Sequence, residues 1–141
     1  MARGGQLTVR LTEHVLERLE RRSQELGQPK SRVTERILDE GLRVEEFPGI
    51  VFRDGPTGRR AGLVDGPDIW EVIGDVKRAQ QRSGDPIAVV MRGTNLSDAQ
   101  IRIALAYYGS YPEEIDARSA RNEELHEAAE RALLATTGTR A

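Results

Sequence analysis

Gln6, Thr8 and Arg10 alternate with Leu7, Val9 and Leu11. Alternation with a period of two, carried by β-forming residues, predicts a strand over residues 6–11 with the polar three on one face. That polar set suits the reading of base edges. Glutamine pairs with adenine and arginine with guanine in the major groove, which is wide enough to take a two-stranded ribbon. Downstream, Lys30, Ser31 and Arg32 fall at the predicted start of a helix. Two cations, a hydroxyl and the positive end of a helix dipole make a phosphate clamp. Taken alone, residues 6–11 also fit an edge strand with a solvated face.

Other chemistries find less support. The chain has no cysteine, which excludes disulfides and thiolate metal sites and fits a reducing cytoplasm. His14 and His126 are its two histidines. His126 has Glu123, Glu127 and Glu130 nearby, yet a single histidine on a charged helix does not supply three or four converging zinc ligands. No metal or cofactor is expected. No Ser-His-Asp set or carboxylate dyad stands out, so an enzyme is not expected either. Gly58-Arg59-Arg60 lacks the glycine spacing and Lys-Ser/Thr of a phosphate loop. Its arginines read first as an ion-paired or solvated hairpin face. No apolar run approaches 18 residues and no signal-type segment follows Met1, so neither a membrane span nor a leader is expected.

The elements that must position the polar strand follow in order. Thr12 stands where an N-cap belongs, and Val15, Leu16, Leu19 and Leu26 recur at helical spacing. Gly27 is suited to end that helix and Pro29 to prevent its continuation. Ser31 is a second candidate N-cap, for a helix carrying Val33, Ile37, Leu38 and Leu42 to about Glu46. One strand and two helices in 46 residues leave ladder hydrogen bonds unmade and too little apolar surface buried. A second copy, paired strand to strand about a two-fold axis, supplies both. Charge agrees modestly: residues 1–36 carry eight basic and five acidic side chains, although the whole chain has a net charge of −2.

This arrangement resembles the ribbon-helix-helix superfamily of the Arc, MetJ and CopG repressors, which also supplies bacterial antitoxins. The resemblance implies that Gln6, Thr8 and Arg10 contact bases, that Lys30, Ser31 and Arg32 contact phosphates, and that the chain is a homodimer on operator DNA.

A boundary follows at Glu46/Phe47, where Pro48 and Gly49 stop any helix. The expected organisation is therefore residues 1–46 and residues 47–141. In the second region Ile50-Val51-Phe52-Arg53 and residues 59–64 read as a hairpin across the Asp54-Gly55-Pro56-Thr57-Gly58 turn. Asp68 caps a helix with Ile69, Trp70, Ile73 and Val76, in which Trp70 reads as core. A short helix from Pro86 and a Ser97-capped helix have helix-turn-helix proportions. Of Tyr107 and Tyr108, one faces the core. A long helix from Pro112 runs to about Leu134, with a frayed tail over residues 135–141. Apolar residues make up 38% of the chain and aromatics 4%, which suits two small cores in a mainly α protein with small β elements.

Residues 47–122 are similar to a family of small homeodomain-like antitoxin domains that often accompany a PIN-like nuclease toxin. The likeness rests on Pro48-Gly49-Ile50-Val51-Phe52, Gly58-Arg59-Arg60, Asp68-Ile69-Trp70-Glu71-Val72, Leu96-Ser97, the segment Ala104 to Tyr108, and Tyr111-Pro112-Glu113-Glu114-Ile115. Asp65-Gly66-Pro67 departs from the family's usual Gly-Thr-Arg. This resemblance implies an antitoxin that represses its own operon and neutralises a PIN-like ribonuclease. Arg59, Arg60, Arg118, Arg121 and Arg131 are its candidate toxin contacts. The competing expectation is a free-standing repressor, or a DNA-architectural or segregation protein, whose C-terminal region oligomerises.

Overall fold

The computed structural model describes residues 4–138, and the chain divides into two compact units between Leu42 and Arg43. It is mainly helical, with six helices and one two-stranded antiparallel sheet among the described residues. None of these helices is long and apolar enough to cross a membrane.

In the first unit, residues 4–12 carry neither helix nor strand. A strand is defined by its neighbour's N–H and C=O groups, and among the described residues no strand of the same chain pairs with residues 6–11. Helix α1 spans Glu13–Leu26. Thr12 is its N-cap through the backbone alone: its carbonyl accepts from the Leu16 amide at 3.0 Å and its side chain makes no cap bond. Gly27 closes the helix with φ 61°, a left-handed value that glycine adopts without a Cβ penalty. Helix α2 spans Lys30–Glu46. Ser31 is therefore not its N-cap but its second residue. The carbonyl of Pro29 takes the first backbone bonds, from Arg32 and Val33 at 3.1 and 3.2 Å. Proline is tolerated at such a helix start because it has no N–H to leave unpaired.

The second unit opens with strand β1, Ile50–Arg53, paired antiparallel to strand β2, Arg60–Leu63, in the register Ile50 with Leu63 and Arg53 with Arg60. The hairpin packs on helix α3, Ile69–Gln80, followed by α4, Pro86–Gly93, α5, Asp98–Ser110, and α6, Pro112–Gly138. The caps follow sequence chemistry. Asp85 accepts from the Ile87 amide ahead of Pro86, and Ser97 and Gln100 form a reciprocal capping box. The core gathers Ile50, Leu63, Ile69, Val72, Ile73, Ile101, Ala104, Tyr107 and Ile115. Trp70 is half-buried against this core rather than within it, because its indole N–H turns toward the Asp68 carboxylate at 3.3 Å. Helix α6 continues past Leu134 to Gly138, so residues 135–138 are helical; residues 139–141 of the expected frayed tail lie outside the described residues.

Candidate nucleic-acid interface and arginine network

Gln6, Thr8 and Arg10 are all exposed. So are the apolar residues that alternate with them: Leu7 is 80% and Val9 60% exposed. The helices continue that apolar surface with Val15, Leu16, Ile37, Leu38 and Leu42, each at least 41% exposed. Val33 is the one buried hydrophobic residue between Gly4 and Leu42. Leu11, Val15, Leu19, Ile37 and Leu38 line an open, mostly apolar groove between α1 and α2, together with Arg18, Arg21, Arg22, Glu25 and Thr34. A contiguous exposed apolar surface of this kind is uncommon on a folded unit.

Lys30, Ser31 and Arg32 form the exposed first turn of α2, and no acidic side chain lies in that turn. Lys30 reaches back to Glu20 at 3.4 Å, a solvent-exposed pair that a stronger anion can displace. The placement leaves a cationic helix start whose dipole favours negative charge.

In the second unit the hairpin arginines meet a carboxylate. Asp68 is 7% exposed and accepts from Arg53 Nη1 at 3.2 Å and from Arg60 Nε. Arg53 also bonds the carbonyls of Leu63 and Gly66. Gly62 makes room for this: a Cβ there would lie 2.5 Å from Arg53 Nη1 and 3.2 Å from Asp68 Oδ1. Two guanidinium groups on one buried carboxylate satisfy it and lock the hairpin to the start of α3. Arg59 pairs with Asp54 at 3.2 Å. Arg118 of α6 donates to the Thr57 carbonyl at 2.8 Å, to Thr57 Oγ1 at 3.0 Å and to the Arg59 carbonyl at 3.1 Å. Of the five candidate toxin contacts, Arg59, Arg60 and Arg118 thus hold the hairpin in place. Arg121 and Arg131 are exposed on α6.

A second network was not read from the sequence. Arg43 donates to Tyr107 Oη at 2.8 Å and to Glu114 Oε1 at 3.0 Å, with its guanidinium 3.9 Å above the Tyr111 ring. The Tyr107 hydroxyl donates to Glu114 Oε2 at 2.7 Å. Burial, together with that bond to a carboxylate, pushes the Tyr107 phenol well above its usual range, although Arg43 pulls the other way. Burial disfavours the Arg43 cation, and Tyr107 and Glu114 more than offset it, so its pKa is raised. Tyr108, the other member of the pair, is half-buried and donates to Asp116 Oδ1 at 2.8 Å. The consecutive tyrosines and an arginine shortly before the Pro48 boundary were the available signals. Neither identifies a bond made across 64 residues.

His14 and His126 are both exposed, and His126 lies 3.3 Å from Glu130. Comparison with protein-family models, with curated proteins and with solved structures finds no match to this chain.

Proposed function

We propose that this chain is the antitoxin of a toxin–antitoxin pair: a homodimeric DNA-binding autorepressor whose C-terminal unit binds and silences a PIN-like ribonuclease. The observation that carries the DNA-binding half is the exposed apolar face of residues 4–42. Eight large hydrophobic side chains there, from Leu7 to Leu42, stand in solvent. Burying each contributes roughly 1 kcal/mol or more. A second copy buries them and at the same time gives residues 6–11 the strand partner that one chain lacks. The paired ribbon then displays Gln6, Thr8 and Arg10 twice, with the first turns of both α2 helices set to bind phosphates. The toxin-binding half has narrower support: the resemblance of residues 47–122 and two exposed arginines on α6.

One observation favours the alternative, a free-standing repressor or DNA-architectural protein. Three of the five arginines suited to a toxin contact are engaged inside the unit. Co-purification with the product of the neighbouring gene decides between them. A stable complex that loses ribonuclease activity supports the antitoxin, and a regulator that purifies alone supports the alternative. For DNA binding, Leu38→Glu places a charge in the apolar face. It should convert a dimer into a monomer on size exclusion and abolish the shift of a DNA fragment from upstream of its own reading frame. A wild-type chain that is monomeric, or that ignores this fragment, overturns the proposal.

A further inference from the structure

We draw no further inference here: the strongest candidate, the open groove between α3 and α6 lined by Trp70, Ile73, Gly74, Ser119, Asn122 and His126, carries nothing because no feature of the structure shows what covers it, and the Lys77 and Arg78 cations that also line it are paired with Asp116 and Asp75.

Discussion

Arg43 donates a hydrogen bond of 2.8 Å to the buried hydroxyl of Tyr107. The same hydroxyl passes its own proton toward Glu114, so the phenol is both acceptor and donor between an acid and a base. Arg43 and the Tyr107 hydroxyl are the enclosed members of this cluster, and Glu114 closes it on the solvent side. Arg43→Met leaves the phenol and the carboxylate without their cation and should cost about 2–3 kcal/mol. Tyr107→Phe leaves Arg43 and Glu114 still in contact and should cost about 1–2 kcal/mol. Urea unfolding followed by Trp70 fluorescence reads both, since Trp70 is the one tryptophan and lies in the same unit. In a shared cluster the double variant should cost less than the sum of the two single changes, and strict additivity would contradict it.

Tyr107 should resist ionisation. Its phenol is raised by burial and by the bond to Glu114, so the neutral form is favoured in the folded state. For an acid held above its unfolded value of about 10, the stabilisation is complete below that pH and is lost as pH rises through the folded value. An ultraviolet titration of the folded chain should show one of its three tyrosines ionising only together with unfolding. In Tyr107→Phe the late step should vanish.

Asp68→Ala should be among the most damaging single changes. It removes a carboxylate that is 7% exposed and leaves Arg53 and Arg60 facing each other without a counter-charge. Breaking a buried ion pair from one side costs about 3–5 kcal/mol. The double change Asp68→Ala with Arg60→Ala should recover part of that loss, a coupling that thermal melts can measure.

The arginines of α6 should separate by role. Arg118→Ala removes three bonds to the hairpin turn and should destabilise the second unit by about 1–3 kcal/mol. Arg121→Ala and Arg131→Ala, both at exposed positions, should leave unfolding within about 0.5 kcal/mol of wild type. If the antitoxin reading holds, neutralisation of the ribonuclease falls in Arg121→Ala or Arg131→Ala with the fold intact. Neutralisation unaffected by both ends the arginine-contact idea.

At the proposed DNA interface, Arg10→Ala should flatten the preference among operator variants. Lys30→Ala should weaken all sequences alike and reduce the salt slope by about 0.9 for each phosphate no longer neutralised. Gel-shift titrations at several salt concentrations test this, and the opposite pattern would mean that the polar face of residues 6–11 does not read bases.

Much of the local architecture follows from short-range chemistry. Gly27 ends α1 because a left-handed turn favours glycine, Pro86 opens α4, and the Ser97–Gln100 box starts α5, all within reach of a few neighbours. The hairpin of Ile50–Arg53 and Arg60–Leu63 follows from its turn residues and its apolar strands. The start of α2 misled because two residue types suited to helix starts, Pro29 and Ser31, stand two apart, and the backbone used the first. Arg43, Arg53 and Asp68 were opaque for a different reason. Their partners lie up to 71 residues away, and only packing the hairpin and α6 around α3 and α5 brings guanidinium and carboxylate together. The sequence determined where helices and turns form, because those depend on neighbours along the chain. The tertiary structure decided which charges are structural, because a buried ion pair exists only once distant segments exclude water from it.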